Sequence, residues 1–354
     1  MAVQICVKKD FGGFKLDVDI KSDSKRIGIL GASGCGKSMT LRCISGIVKP
    51  DAGIVKVEQN VYFDAKAKIN LRPRERSVGY LFQNYALFPT MSVEKNIGIG
   101  IRGTKAERKE KVEQMMERFQ IENLRNRLPR QLSGGQQQRA ALARILVCNP
   151  KILLLDEPFS ALDVHLRDKM QQELLELLED YGGTVMMVSH NRDEIYRFSE
   201  ELFILDEGAV KGKGGTKQLF KNPGSFAAAK LTGCKNIARA RQEGDQTADV
   251  KAWDMKFQMR RKLPDNLSGV AIRAHEFQID KPQEEPYLVF PVCRPRVTED
   301  LFEYSIAFYA SENAKEPIQW KIGKDRFEAE RQNIPDEVYL KEGKLLLLEG
   351  ERPD

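Results

Sequence analysis

The 354-residue chain is 41% hydrophobic and 31% charged, a balance that excludes global disorder and allows two domains, or three. Its net charge of +6 is uneven: residues 234–354 hold 20 basic and 23 acidic side chains, so the excess lies in residues 1–233, too diffuse for a nucleic-acid-binding arm. No apolar run nears the ~18 residues needed to cross a bilayer, no apolar leader is present, and six cysteines and three histidines show no metal-ligand spacing, so a soluble intracellular protein with reduced thiols, no structural metal and no nucleic-acid partner is expected.

Residues 2–9 and 14–20 alternate as two strands around a turn at Gly12-Gly13. Lys25 to Leu30 is a short apolar strand, followed by a glycine-rich turn and a helix from Lys37 to about Ile47. Segments 53–63 and 77–83 read as strands, and Ser92 to Leu128 turns helical, with Val112, Met115, Met116 and Phe119 at spacings of three and four. A helix over Ala140 to Val147, a buried strand over Lys151 to Leu155 and a long helix over Leu162 to Glu179 follow. Strands at 184–189 and 201–206 complete an α/β alternation, which implies a mainly parallel, covered sheet. The Gly- and Lys-rich stretch 211–224 marks a change of composition. Helical pattern fades beyond Leu231, and strands are expected at 267–273, 287–297, 301–309 and 344–349. A boundary near Gly233 therefore separates residues 1–233 from a small β-rich domain over 234–354.

Three stretches carry chemistry. Residues 31–38, GASGCGKS, match G-x-x-x-x-G-K-[ST] between a predicted strand and a predicted helix. Glycines let such a loop turn its N–H groups toward phosphate oxygens, Lys37 would reach the β/γ-phosphates, and Ser38 would hold Mg²⁺. In ILLLDE (152–157), an apolar strand ends in two carboxylates. Asp156 would hold Mg²⁺ directly or through water, and Glu157 could take a proton from an attacking water. In LSGGQ (132–136), Ser133 reads as a helix N-cap and Gly134-Gly135 allow close approach of an anion, which makes a second phosphate site.

With LSGGQ in place, the chain resembles the nucleotide-binding subunits of ATP-binding cassette (ABC) transporters over about residues 1–233. The resemblance implies a P-loop ABC ATPase domain with a helical subdomain over Met91 to Arg130, and ATP with Mg²⁺ as cofactors. Gly31, Ser33, Gly34, Cys35, Gly36, Lys37, Ser38 and Met39 would then contact ATP, with Glu157, His190 and Gln83 catalytic and Ser38, Gln83 and Asp156 on the metal. Asp163, in SALD, is similar to the D-loop aspartate. Phe11 is the expected adenine-stacking aromatic and Phe14 the second choice, against an ordinary core role for either. A histidine following an apolar strand also serves as a packing or capping residue, and that reading of His190 stays open. In the family pattern Ser133, Gly134, Gly135 and Gln136 of one chain close over ATP on the other, so a homodimer is implied.

Tyr85 to Pro89, YALFP, resembles the importer segment beside the groove that receives a permease helix; a buried linker is the alternative. Residues after Gly233 resemble the β-barrel C-terminal domains, related to the oligonucleotide-binding fold, of importer ATPases. In GVAIRAHE (269–276), Ala271 is interposed and Ala274 stands where proline is usual. TGCKNIARA (232–240) resembles the molybdate and tungstate branch most, then sulfate. The implied function is ATP hydrolysis powering oxyanion import, with sulfate, iron, polyamine or sugar import, or a soluble non-transport ATPase, as alternatives. The implied partners are integral membrane permease subunits at the cytoplasmic face and, through them, an extracytoplasmic solute-binding protein, with an oxyanion possible at the C-terminal domain. Cys35, just before a helix N-terminus, is expected to have a lowered thiol pKa and to be alkylated unless Mg-ATP covers it; a buried, inert thiol is the alternative.

Overall fold

A computed structural model describes residues 2–350 apart from 161, 163, 284–285 and 330–332. The chain divides into two compact units, Met1–Lys217 and Gln218–Asp354. The expected boundary at Gly233 falls inside the second.

In the first unit, β1 (Val3–Asp10) and β2 (Lys15–Ser22) form a hairpin, and β3 (Arg26–Leu30) leads through the glycine loop into α1 (Lys37–Ser45). The expected strand at 53–63 is two, β4 (Ala52–Val57) and β5 (Asn60–Asp64), because Glu58 turns the chain with φ +52°; β6 (Ile69–Asn70) and β7 (Val78–Leu81) follow. The helical stretch comprises α2 (Val93–Gly98) and α3 (Lys105–Arg118), the second opened by a Thr104/Glu107 capping box. Next come α4 (Gly134–Leu146), β8 (Ile152–Asp156), α5 (Val164–Glu179), β9 (Thr184–Ser189), α6 (Arg192–Phe198), β10 (Glu201–Asp206) and β11 (Ala209–Gly215).

These strands make one sheet in the order β6-β5-β4-β1-β2-β11-β10-β3-β9-β8-β7. The segment from β10 to β7 is parallel, and the hairpin strands extend it antiparallel. Burial follows the two patterns. β8 and β9 are buried at every residue, as strands covered on both faces must be, whereas β2 alternates between exposed and buried. The parallel order brings the carboxyl ends of β3, β8 and β9 side by side, Leu30 beside Ser189 and Asp156 beside Val188. Ligands bind at such ends in open α/β sheets.

Helix α7 (Thr216–Lys221) crosses the division, and α8 (Phe226–Leu231) belongs to the second unit. There β12 (Asn236–Arg239), β13 (Arg241–Gln242), β14 (Thr247–Val250), β15 (Met255–Gln258), β16 (Leu267–Ile272), β17 (Tyr287–Pro291), β18 (Cys293–Glu299), β19 (Glu303–Tyr309), β20 (Ile318–Gly323), β21 (Glu337–Lys341) and β22 (Leu346–Glu349) form four small antiparallel sheets, with the short helix α9 (Lys324–Ala329) between β20 and β21. They enclose one core that includes Trp253, Phe257, Phe290, Phe308 and Trp320, the small β-barrel domain expected from the sequence. Phe277 sits edge-on to Phe290 and Phe308, with ring centroids 5.1 and 5.9 Å apart.

Candidate nucleotide site

The loop between β3 and α1 is shaped by its glycines. Gly34 and Gly36 have φ +84° and +106°, where a Cβ is strained, and a side chain at Gly36 would strike Leu16 and Phe14. No side chain caps α1, and no acid occupies its first turn. Its N-terminal N–H groups therefore keep their positive potential for an anion.

Five of the expected residues meet here. Lys37 is buried, and its Nζ donates to the carbonyls of Gly31 and Ala32, both at 2.9 Å, and lies 3.7 Å from Glu157 Oε1. Ser38 Oγ donates to Asp156 Oδ1 at 2.7 Å. Glu157 Oε2 is 3.0 Å from His190 Nδ1, and Glu157 itself has φ +46°, a strained value for a non-glycine residue. Its peptide is pinned by an N–H to the Val188 carbonyl at 3.0 Å and by the Ser160 hydroxyl on its own carbonyl at 2.9 Å. Two carboxylates side by side are thus held apart by separate partners, one facing Ser38 and the other facing Lys37 and His190.

The residues fit a nucleotide–metal pair. Mg²⁺ coordinates at 2.0–2.1 Å in an octahedron, so neighbouring ligand oxygens lie about 2.9 Å apart. Ser38 Oγ and Asp156 Oδ1 already stand at 2.7 Å. The hydrogen bond between them would be exchanged for the cation with little movement.

Sequence reasoning missed Tyr80. Its hydroxyl donates to Asp156 Oδ2 at 2.8 Å, and its ring stacks on Phe82 with centroids 4.2 Å apart. Burial, with Asp156 beside it, pushes the phenol far above its usual range, so it stays a donor. Tyr80 and Asp156 are 76 positions apart, and a tyrosine in an apolar strand carries no motif that could have revealed the contact.

The remaining candidates stand elsewhere. Gln83 is exposed just after β7, and no hydrogen bond links it to the Lys37 cluster among the described residues. Ser33 and Gly34 are exposed at the loop crest, while Met39 packs against the core of the sheet. Ser133 caps α4, accepting from Gln136 N at 3.4 Å while Gln136 Oε1 accepts from Ser133 N at 3.0 Å. Each of these two side chains accepts from the other residue's backbone N–H, a capping box at the start of α4. Phe11 is 38% exposed on the β1–β2 turn, whereas Phe14 packs beneath Gly36, its ring centroid 6.2 Å from that of Phe11. Asp163 lies outside the described residues.

Cys35 departs from expectation. Its side chain is buried, its sulfur lies 2.5 Å from where a Cβ on Gly31 would sit, and burial raises the thiol pKa above its ordinary value. The helix N-terminus and Lys37 pull the other way, but desolvation outweighs them. Burial and the raised thiol favour the inert alternative over the expected lowered pKa.

The YALFP segment is held by side-chain contacts. Tyr85 and Ala86 both have positive φ, +60° and +44°, and Arg144 donates to their carbonyls at 3.1 and 2.7 Å while lying over the Phe88 ring. Fully buried Asn96 accepts from Phe88 N at 2.8 Å and donates to the carbonyls of Phe88, Met91 and Ser92. Phe88 is left 44% exposed at the crest.

A family model described as ABC transporter matches residues 15–160. The chain is 36% identical over 265 residues to the "Fe(3+) ions import ATP-binding protein FbpC" of Haemophilus influenzae (strain 86-028NP), covering 74% of this chain and 75% of that one. It is 34% identical over 343 residues to the "Spermidine/putrescine import ATP-binding protein PotA" of Bacillus thuringiensis subsp. konkukian (strain 97-27), covering 94% and 97%. Among solved structures, cbiO1 from Clostridium perfringens, part of the ABC transporter complex cbiONQ, matches with TM-score 0.54 and 27% identity over 62% of this chain and 89% of that one. A dimeric post-hydrolysis state of the ATP-binding cassette MJ0796, bound to ADP and Pi, matches with TM-score 0.51 and 30% identity over 61% and 99%.

Proposed function

This chain belongs to the ABC transporter family, and we propose that it is the subunit whose ATP hydrolysis powers solute import through a membrane permease. The observation that carries the enzymatic part is the contact chain from Lys37 through Glu157 to His190, beside the Ser38–Asp156 pair.

In this reading Lys37 exchanges its two carbonyl bonds for the β/γ-phosphates, and the N–H groups at the start of α1 receive the remaining oxygens. Ser38 and Asp156, with Gln83, would hold Mg²⁺, which would neutralise phosphate charge when bound. Glu157 accepts a proton from water as that water attacks the γ-phosphorus and the bond to ADP breaks. His190 orients Glu157 through Nδ1 and keeps its other ring nitrogen for the γ-phosphate. Exposed Phe11, not Phe14, offers the adenine a face. In this reading the signature N–H groups at Gly134 and Gly135 close over nucleotide bound to a second copy in a head-to-tail homodimer, an arrangement supported by the dimeric cassette MJ0796. Among the described residues no helix is long and apolar enough to cross a membrane, which suits a subunit held at the cytoplasmic face by permease contacts around Phe88.

Glu157→Gln tests the core of this reading. Nucleotide binding should survive, turnover should fall about 10²–10⁴-fold, and ATP-bound dimer should accumulate. Turnover within threefold of the unaltered protein would assign the base elsewhere.

For the solute, spermidine or putrescine is supported by the PotA relative, whose similarity spans both units. Molybdate or tungstate is the second reading, carried by TGCKNIARA at 232–240, with an oxyanion held by the C-terminal unit. Uptake of labelled spermidine and labelled molybdate by the chain assembled with its permease separates them. The first reading expects polyamine uptake and an ATPase rate indifferent to cytoplasmic molybdate.

A further inference from the structure

The Glu157–His190 pair stands on two turns that the fold ties together from behind. Glu157 opens the first: its carbonyl accepts from Ser160 N at 3.2 Å and from the Ser160 hydroxyl at 2.9 Å, and Leu162 N donates to the Phe159 carbonyl at 3.2 Å. His190 stands in the second. Its side chain is 55% exposed and, among the described residues, its one hydrogen bond is to Glu157 at 3.0 Å. A half-exposed ring with a single bond takes its direction largely from its backbone, so whatever fixes residues 189–191 also sets the Glu157–His190 distance.

Ser189, buried at the end of β9, spans His190 with its side chain. Its hydroxyl oxygen accepts from Asn191 N at 2.9 Å and its proton goes to Glu194 Oε2 at 2.7 Å. A hydroxyl has one proton to give, so the acceptor at Glu194 decides that a lone pair is left facing Asn191. Glu194 is itself buried, in the first turn of α6, and its other oxygen faces Arg167 Nε on α5 at 3.8 Å. That Nε is buried and makes no hydrogen bond among the described residues, so its charge is left to act on Glu194. From the same guanidinium, Nη2 donates to the Leu162 carbonyl at 3.3 Å, beyond the turn that Glu157 opens. Helices α5 and α6 also meet through Arg197 and Asp168 at 2.7 Å, but both of those side chains are more than half exposed, where an ion pair holds little. The buried contact is the one that can set how the two turns stand.

We infer that Glu194 and Arg167 are positioning residues for hydrolysis. Glu194 aims the Ser189 hydroxyl and so the turn that carries His190, while Arg167 joins Glu194 to Leu162 and so to the turn that carries Glu157. The pair acts as a brace behind the site and touches no reacting atom. Misplacing a reacting group by about 1 Å can cost about 10²-fold in rate, so a brace that sets one hydrogen bond of the catalytic pair governs turnover without governing nucleotide affinity. The inference rests on the roles given above to Glu157 and His190. A brace that merely stabilised the fold would behave differently, since its loss would cost the same whether or not His190 were present.

Full-length variants are compared in ATP hydrolysis, with circular dichroism and binding of a non-hydrolysable ATP analogue to count folded sites. Glu194→Ala and Arg167→Met should each lower kcat about 10- to 100-fold while KM for ATP stays within about threefold, because orientation is lost and binding is kept. Glu194→Gln keeps an oxygen for the Ser189 hydroxyl and should lose less than about fivefold. In a His190→Ala background, single-turnover hydrolysis of radiolabelled ATP reads the residual rate. There Glu194→Ala and Arg167→Met should cost less than about twofold more, since residues that act through one another are not additive. Should Glu194→Ala fail to fold, Ser189→Ala and Arg167→Met carry the same expectations. The inference is overturned if the folded variants turn over at the unaltered rate, if KM rises while kcat holds, if Glu194→Gln is as slow as Glu194→Ala, or if the losses are equal with and without His190. Unaltered turnover by His190→Ala would refute the role given to His190 in the proposed function, and this inference with it; slow turnover by His190→Ala with additive losses leaves that role standing and overturns this inference alone.

Discussion

Tyr80→Phe removes one hydroxyl and nothing else from the floor of the nucleotide site. Asp156 is 5% exposed, and its two oxygens are divided between Ser38 at 2.7 Å and Tyr80 at 2.8 Å. A hydrogen bond to a charged group contributes about 1.5–3 kcal/mol, and a buried carboxylate oxygen left without its donor incurs a desolvation cost of that order. The ring itself should stay, because its stacking on Phe82 is unaffected. The nucleotide-free variant should therefore lose about 1.5–3 kcal/mol of local stability, read by hydrogen-exchange mass spectrometry of peptides covering β7 and β8. Adding Mg²⁺ with a non-hydrolysable ATP analogue should shrink the loss, because a cation at Asp156 replaces the missing donor. A loss below about 0.5 kcal/mol, or a loss unchanged by Mg-nucleotide, would refute the reasoning that Tyr80 holds Asp156 for the metal.

Asn96→Ala should cost about 2–4 kcal/mol, since fully buried Asn96 makes four bonds to the 88–92 backbone; faster exchange should appear in peptides 85–95, and permease-stimulated turnover should fall more than basal turnover. Exchange confined to other segments would contradict it. Glu194 is buried, and desolvation raises its carboxyl above the ordinary range despite the hydroxyl of Ser189 at 2.7 Å and Arg167 at 3.8 Å. The folded chain then holds that proton more tightly than the unfolded one, so the group's contribution to stability is largest at low pH and is lost as pH rises through the carboxylate range. Glu194→Gln should accordingly raise the melting temperature at pH 7.5 and bring no gain below pH 4; a variant less stable at pH 7.5 would show that the Arg167 contact outweighs burial.

Much of the first unit was legible because its information is local. GASGCGKS sets a loop whose glycines take backbone angles other residues avoid, and the unbroken apolar runs of β8 and β9 announce strands covered on both faces. Ser133 and Gln136, three apart, already contain their capping box. Strand β11 was obscured, since its Gly- and Lys-rich sequence has no alternation; it forms because β10 offers an antiparallel partner. In the second unit β12 to β15 are two to four residues long, too short for periodicity to register, and a common core of Trp253, Phe257 and Phe290 gathers them. The burial of Cys35 could not be read from its motif either, because the helix terminus that favours a thiolate is a local feature, whereas the desolvation that raises the thiol comes from the surrounding fold. Motif residues thus state which chemistry is available. The pairings of Ser38 with Asp156, 118 positions apart, of Glu157 with His190, 33 apart, and of Tyr80 with Asp156 arise only when parallel strands set their carboxyl ends side by side, since a hydrogen bond depends on distances near 3 Å that strand order, not sequence separation, decides.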